Sequence, residues 1–240
     1  MGTSPAAAAA RACARAARMR MSYAWASAVK AEAGYYGFMV THAGRILRGL
    51  VLASTFVVFA TAQTGGSRRA VGPIMAKVTM DVYSDFQCPS CKLLSEQTLN
   101  RVMEDYALKG SLRVVHHDFP LPMHQFAKQA ALFAAAADRI GKFDQVSQAL
   151  FKQQEAWAAS GKVEEAVDSV LSPAEAKQVR ELAKDPSVAA LVQRDIDLGT
   201  RLAVNQTPTI ILTKNMKSNR VTGAVSYAIL KRYLDQLLAD

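Results

Sequence analysis

The feature that most constrains this chain is a pair of cysteines, Cys88 and Cys91, placed between a strand pattern and a helix pattern. Residues 77–84 alternate apolar and polar side chains, which is typical of a half-buried β-strand. Residues 89–108 have the apolar spacing of a helix, and Pro89 is tolerated in the first turn because that amide has no partner within the helix. The pair is therefore expected at the N-terminus of a helix that follows a buried strand.

A cysteine at a helix N-terminus is chemically unusual, because unpaired backbone N–H groups and the helix dipole stabilise its thiolate. We expect the sulfur of Cys88 to be exposed, with a pKa below that of a free thiol. Cys91 lies one turn further on, points inward and should resolve a mixed disulfide formed at Cys88. The sequence predicts a redox pair, supported by the motif residues Phe86, Pro89 and Ser90.

Two other uses of the pair stay open. A structural disulfide across two residues would be strained and would add little stability, because the loop it closes is short. A zinc site needs two more ligands, and the nearby candidates His116, His117 and His124 lack the spacing of a zinc finger or ribbon. We expect neither a metal nor a cofactor.

The rest of the chain predicts a mixed α/β domain. A second strand is expected over residues 111–117, a long helical block over about 123–203, a strand over 209–212 and a last helix over 226–238, with a short strand at 220–222 between the last two. This order indicates an α/β fold with a helical insertion between the second and third strands.

The residues ahead of this domain have a different composition. Residues 1–38 are rich in Ala and Arg, and we interpret them as an N-terminal extension or as the product of a mis-assigned start, with Met39 the true start. Residues 39–62 combine basic residues, an apolar run and the small residues Ala60 and Ala62, which is typical of a signal peptide. The apolar run is shorter than the ~20 residues of a transmembrane helix, so an uncleaved membrane anchor is the alternative.

The boundary of the domain follows from the next segment. Residues 63–75 contain Gly and Ser together with Pro73, which predicts a flexible linker. The folded domain is then expected over residues 76–240.

Charge and cysteine content exclude some classes of protein. The formal net charge is +9, but residues 1–62 hold seven basic side chains and one acidic one, whereas residues 63–240 hold 22 basic and 19 acidic ones. The domain is nearly balanced and has no basic stripe interleaved with aromatic residues, so nucleic acid is not an expected partner. Three cysteines, with Cys13 isolated, are too few for a disulfide scaffold.

A second motif, Gln206-Thr207-Pro208-Thr209, precedes the apolar run of the third strand. Proline is tolerated at the start of a strand. Together with the cysteine pair it predicts a cis Thr207–Pro208 bond. Such a bond would expose the backbone of Thr207 beside Cys88, where an extended substrate could add strand-like hydrogen bonds.

These motifs together resemble the DsbA-like thioredoxin-fold family over about residues 76–240. The resemblance is carried by residues 83–91 (Tyr-Ser-Asp-Phe-Gln-Cys-Pro-Ser-Cys), residues 118–121 (Asp-Phe-Pro-Leu), the helical insertion and Thr207-Pro208. It implies a thioredoxin fold, a periplasmic or extracytoplasmic location, and cysteine-containing exported proteins as substrates. It also implies reoxidation by a membrane quinone-linked enzyme of the DsbB or vitamin-K-epoxide-reductase type. We expect a monomer.

The chain departs from the family beneath the pair. Members often carry a buried acid six residues before the first cysteine, where this chain has Val82. The nearest acid, Asp81, should face the opposite side of the strand. The proton acceptor for the inner thiol is therefore open.

The expected function is an exported thiol–disulfide oxidoreductase that introduces disulfides into exported proteins as a dithiol oxidase. A reductase or isomerase of the same fold, which would differ in the resting redox state of Cys88 and Cys91, is one alternative. A membrane-tethered binding module or chaperone, in which the cysteines are incidental, is another.

Overall fold

The structure is a computed structural model that describes residues 69–239. The predictions for residues 1–62, an extension followed by a signal peptide or anchor, lie outside the described residues. Within the described range, no helix has both the length and the apolar character needed to cross a membrane.

A five-stranded sheet is the centre of the described part of the chain. Its strands are β1 (Ala70–Val71), β2 (Val78–Ser84), β3 (Leu112–Asp118), β4 (Thr209–Lys214) and β5 (Lys217–Thr222), in the spatial order β1-β3-β2-β4-β5. β2 and β3 are parallel, and the other neighbouring pairs are antiparallel. The alternation in β2 predicted its buried face correctly, since Val78, Met80 and Val82 are each at most 1% exposed.

Helix α1 follows β2 and carries the cysteine motif. It runs from Pro89–Leu94 through a π-helical segment (Ser95–Leu99), an α-helical turn (Asn100–Val102) and a second π-helical segment (Met103–Ala107). The last helix, α8 (Tyr227–Ala239), packs with α1 on the sheet. Together they enclose a core of apolar side chains that includes Met80, Leu94 and Leu230.

The helical insertion lies between β3 and β4, as the sequence predicted. It comprises α2 (Ala127–Asp138), α3 (Phe143–Lys152), α4 (Gln154–Ser160), α5 (Val163–Asp168), α6 (Pro173–Leu182) and α7 (Pro186–Arg201). Buried alanines of α2 and the large side chains of Phe151 and Trp157 form a second core. That core also contains Cys88 and Cys91, so the insertion covers the motif.

The start of α6 follows a pattern that the sequence shows directly. The Ser172 side chain accepts a hydrogen bond from the Glu175 backbone N–H, and the Glu175 carboxylate accepts one from the Ser172 backbone N–H. Pro173 occupies the first position of the helix. This reciprocal capping satisfies backbone donors that the helix itself cannot pair.

The predicted linker over residues 63–75 is wrong for its described part. Ala70 and Val71 form an edge strand paired with Val115 and Val114 of β3. The side chain of Arg69, just before that strand, is buried. A two-residue strand has too little sequence for its alternation to be recognised, and its apolar partners lie 43 and 45 positions away. The folded domain therefore already includes residue 69 and does not begin at Ala76.

Candidate active site

Cys88 caps the N-terminus of α1, as the motif predicted. Its backbone is extended (φ −79°, ψ 121°), and its carbonyl accepts the first helical hydrogen bonds, from the N–H groups of Cys91 (3.0 Å) and Lys92 (3.2 Å). Both cysteines are unbridged. Cys88 is 7% exposed and Cys91 1% exposed. Cys88 is therefore less exposed than the sequence predicted, because the insertion and the Thr207 segment cover its sulfur.

The two sulfurs have opposite acid–base properties. Hydrogen bonding from the Cys91 thiol and from the backbone N–H groups of Cys91 and Ser90 outweighs burial and lowers the pKa of Cys88 to about 5. Burial raises the pKa of Cys91 well above its ordinary value, and the negative charge on Cys88 raises it further. Near neutral pH the pair therefore holds one thiolate, at Cys88, and one thiol, at Cys91.

The predicted proline motif lies against the outer sulfur. The Thr207–Pro208 peptide bond is cis, which is the geometry that the sequence predicted. In its thiol form, Cys88 donates to the carbonyl oxygen of Thr207 over 3.3 Å. Residues 119 positions apart in the sequence are thus in direct contact, and β4 begins immediately after this contact at Thr209.

The three supporting residues take different places around the pair. Phe86 is 1% exposed and packs against the ring of Phe151 at 4.9 Å between centroids. Pro89 is exposed at the first position of α1. Ser90 is half-buried and supplies one of the N–H groups that stabilise the Cys88 thiolate.

Two side chains just before the motif bind the loop that leads into the insertion. The Asp85 carboxylate accepts a hydrogen bond from the Leu121 N–H (2.8 Å) and pairs with His124 Nδ1 (2.6 Å). The N–H of Phe126 donates to the Gln87 side-chain oxygen over 2.8 Å. Sequence reasoning missed both contacts, although the position of Asp85 and Gln87 in the turn before the helix was a usable signal.

A third side chain binds the same turn from the opposite direction. Gln154, near the start of α4, is 3% exposed and donates through Nε2 to the carbonyl oxygens of Phe86 (2.6 Å) and Cys88 (3.0 Å). No pattern in the sequence distinguishes this glutamine from its neighbours. We call the contacts made by Asp85, Gln87 and Gln154 the active-site joint.

The position beneath the pair is apolar, as the departure from the family predicted. Val82 is 1% exposed within the core. Asp81 faces away and accepts a hydrogen bond from His117 Nε2 at 2.9 Å. No carboxylate on β2 contacts the Cys91 sulfur, and the backbone N–H of Asp85 donates to it over 3.4 Å.

A buried group of charged side chains ties α7 to the sheet, and we call it the ion-pair joint. Arg69 binds Asp118 (2.7 Å) and Asp195 (2.5 Å), and His117 Nδ1 lies 3.3 Å from Asp195. Burial opposes protonation of His117, but hydrogen bonds to Asp195 and Asp81 raise its pKa to about 9. Sequence reasoning missed this group, because its members come from three distant segments.

The histidines considered as zinc ligands are paired with carboxylates instead. His116 binds Asp118, His117 binds Asp81 and Asp195, and His124 binds Asp85. Among residues 69–239, no three His, Cys, Asp or Glu side chains are grouped so that they could hold a metal ion.

Comparison with known proteins agrees with this arrangement. The family model described as Thioredoxin matches residues 64–236. A probable disulfide bond formation protein D from Bacillus anthracis is 24% identical over 159 residues, covering 62% of this chain and 71% of the relative.

Two crystal structures share the fold. Wolbachia pipientis alpha-DsbA1 has a TM-score of 0.59 at 17% identity, covering 71% of this chain and 90% of that one. Oxidised BdbD from Bacillus subtilis has a TM-score of 0.57 at 22% identity, covering 73% and 94%.

A sheet of this order, a helix that opens on a cysteine pair and a cis-proline beside the outer sulfur define a thioredoxin-fold thiol–disulfide oxidoreductase. The chain belongs to the thioredoxin family and resembles its DsbA-like members.

Proposed function

We propose that this protein is an exported dithiol oxidase that transfers a disulfide from Cys88–Cys91 to client proteins. The observation that carries the proposal is the position of Cys88 at the N-terminus of α1, where hydrogen bonding lowers its pKa to about 5. A thiolate that is stabilised in the reduced protein is a good leaving group, and it makes the corresponding disulfide more oxidising. The apolar surroundings of Cys91 keep this second sulfur protonated in the reduced pair.

The reaction proceeds by two exchanges. A client thiolate attacks the Sγ of Cys88 in the disulfide, a client–Cys88 disulfide forms, and Cys91 leaves as a thiolate that takes up a proton. A second client thiolate then attacks the client sulfur, and Cys88 leaves as a thiolate. The Cys88–Cys91 pair receives the two electrons that the client loses. Of the two protons that the client thiols release, one is taken up by Cys91 and the other goes to solvent, because Cys88 stays a thiolate.

The surface beside Cys88 supports an extended protein segment as substrate. We expect a client strand to pair with the backbone of Thr207, whose carbonyl oxygen lies 3.3 Å from Cys88 Sγ. Met123 is 77% exposed, within the loop whose Leu121 and His124 are held by Asp85. An exposed apolar side chain on the loop that Asp85 binds would favour incompletely folded clients, which expose apolar residues of their own.

Export and reoxidation complete the proposal. The expected signal peptide over residues 39–62, or an uncleaved anchor, would place the domain in an oxidising compartment. A membrane quinone-linked enzyme of the DsbB or vitamin-K-epoxide-reductase type would remove the two electrons. Bacterial relatives that are named for disulfide bond formation support the oxidase direction of the exchange.

The reduction potential separates an oxidase from a reductase or isomerase. We expect equilibration of the reduced and oxidised protein with glutathione to give a value near the ~−120 mV of strongly oxidising members. A value near the ~−270 mV of thioredoxin would favour the reductase interpretation.

A trapping experiment tests the assigned roles of the two sulfurs. Cys91→Ala should accumulate client proteins as covalent adducts, because the N–H groups at the helix N-terminus still stabilise the Cys88 thiolate after the Cys91 thiol is lost, and no internal thiol can release the adduct. Cys88→Ala should accumulate none, because Cys91 is buried. Non-reducing gels of the exported fraction from cells that express each variant report the adducts. Equal trapping by both variants would contradict the assignment, and trapping by neither would favour the binding-module alternative.

A further inference from the structure

One side chain from the helical insertion holds both sides of the active-site turn. Gln154 donates to the carbonyl oxygen of Phe86, within the turn, and to that of Cys88, where α1 begins. The Cys88 carbonyl is also the acceptor for the N–H groups of Cys91 and Lys92. A single amide group therefore links the end of the β2 segment to the first turn of α1.

These groups are buried, so loss of the contact would be costly. Gln154 is 3% exposed and Phe86 is 1% exposed, so water has little access to replace the amide. Without it, the Phe86 carbonyl oxygen would lose its donor in a poorly hydrated site, where an unpaired polar group is costly, and the Cys88 carbonyl oxygen would keep only the N–H groups of Cys91 and Lys92. The turn would relieve that cost by moving, and the N–H groups that converge on the Cys88 sulfur would move with it.

The electrostatic effect of the Gln154 amide also stabilises the Cys88 thiolate. The negative ends of the Phe86 and Cys88 carbonyl dipoles lie in the turn that contains the thiolate. The Gln154 amide places the positive ends of its own N–H bonds against them. Loss of the amide would raise the negative potential around the sulfur and make the Cys88 thiolate less stable.

We propose that Gln154 is a positioning residue for the nucleophile, and that through it the helical insertion sets the reactivity of Cys88. Gln154 touches neither sulfur and acts only through the backbone of the turn. This inference rests on the proposed role of Cys88 as the attacking and leaving sulfur. It assigns the insertion a chemical role in addition to its role as a cover for the site.

The chain offers a matched pair of substitutions. Gln154→Met keeps the length and volume of the side chain but removes both N–H donors. Gln153→Met makes the same change one residue earlier, where the side chain donates to Ser169 Oγ at an exposed position. Both are made in the full chain with Cys13→Ala, which leaves Cys88 and Cys91 as the only thiols.

Thiolate absorbance of the reduced protein against pH gives the pKa of Cys88 in each variant. Gln154→Met should raise that pKa by about one unit, a tenfold smaller thiolate-to-thiol ratio at any given pH. Gln153→Met should leave it unchanged. A purely structural role for Gln154 would lower the thermal midpoint and leave the pKa of Cys88 unchanged, and that result would overturn the proposal.

A measurement on the unsubstituted protein covers the case in which Gln154→Met does not fold. The side-chain N–H protons of Gln154 should exchange with solvent at least tenfold more slowly than those of Gln153, followed by NMR in the reduced state. Equal exchange would overturn the proposal. A Cys88 pKa of about 8.5 or above in the unsubstituted protein would instead contradict the proposed function, and so the two failures are distinguishable.

Discussion

The helical insertion is attached to the sheet at two buried places that differ in chemistry. The ion-pair joint is built from full charges, with Arg69 and His117 between the carboxylates of Asp118 and Asp195. The active-site joint relies mostly on amide groups and backbone hydrogen bonds, with one carboxylate at Asp85. No residue of either joint is among the direct causes that shift the pKa of Cys88, but only the active-site joint binds the turn that carries this cysteine. We therefore expect the ion-pair joint to affect mainly stability and the active-site joint to affect the reactivity of the thiol as well.

The largest expected effect comes from removing the carboxylate shared by the two cations. Asp195→Ala should lower the free energy of unfolding by about 3–5 kcal/mol, because a buried pair that loses one partner leaves an uncompensated charge. Denaturant titration measures this loss, and thiolate absorbance should show an unchanged Cys88 pKa. Asp197→Ala, on an exposed position of the same helix, is the control and should cost less than about 0.5 kcal/mol. Similar losses of unfolding free energy in both variants, or a shifted Cys88 pKa, would contradict the proposed difference between the joints.

The pH dependence of stability sharpens the same distinction. His117 has a folded-state pKa of about 9, above its ordinary value of 6.5, so its contribution is complete below about pH 6.5 and is lost as the pH rises through 9. The contribution of His117 to the free energy of unfolding is about 3 kcal/mol. The pKa of Asp195 is lowered chiefly by its hydrogen bond to His117, against the effect of burial. The contribution of Asp195 to stability is therefore lost at the acid end, as the pH falls through its lowered pKa.

Denaturant titrations between pH 6 and pH 10 test the alkaline part of this expectation. The oxidised protein is used, so that neither thiol titrates. His117→Gln should remove the alkaline loss of stability, and an unchanged loss in that variant would show that another group is responsible.

The smallest expected effect is at a third, exposed contact between α1 and the insertion. Lys92 Nζ lies 3.2 Å from the Glu155 carboxylate, and the Glu155 side chain is 90% exposed. Glu155→Ala should change the free energy of unfolding by less than about 0.5 kcal/mol, since solvent and salt screen such a pair. A denaturant titration at low and high salt measures it. A loss above about 1 kcal/mol would mean that surface charge, and not only buried charge, attaches the insertion.

The sequence predicted those parts of the fold that depend on local pattern. The alternation in residues 77–84 and the helix start at Pro89 are each recognisable from a few neighbouring positions. The cysteine pair and the Thr207–Pro208 motif were recognisable because each combines a rare residue with a strand boundary.

The missed residues depend on contacts between distant segments. Gln154 has the same local sequence character as Gln153, and only the tertiary fold distinguishes the buried donor from the exposed one. Arg69 lies in a segment whose composition is that of a linker, and its partners Asp118 and Asp195 are 49 and 126 positions away. Local periodicity contains no information about such pairings.

The short strand β1 has a consequence for the solubility of fragments. It covers the edge of β3 at Val114 and Val115, where uncovered backbone donors and acceptors could pair with another chain. The opposite edge, β5, is polar, and its Lys217, Ser218, Asn219 and Arg220 side chains are exposed. A fragment cut at Ala76 would lose β1 together with the Arg69 ion pairs, and would present an apolar edge for intermolecular strand addition. Such a fragment should aggregate, whereas one that keeps residue 69 and β1 should stay soluble.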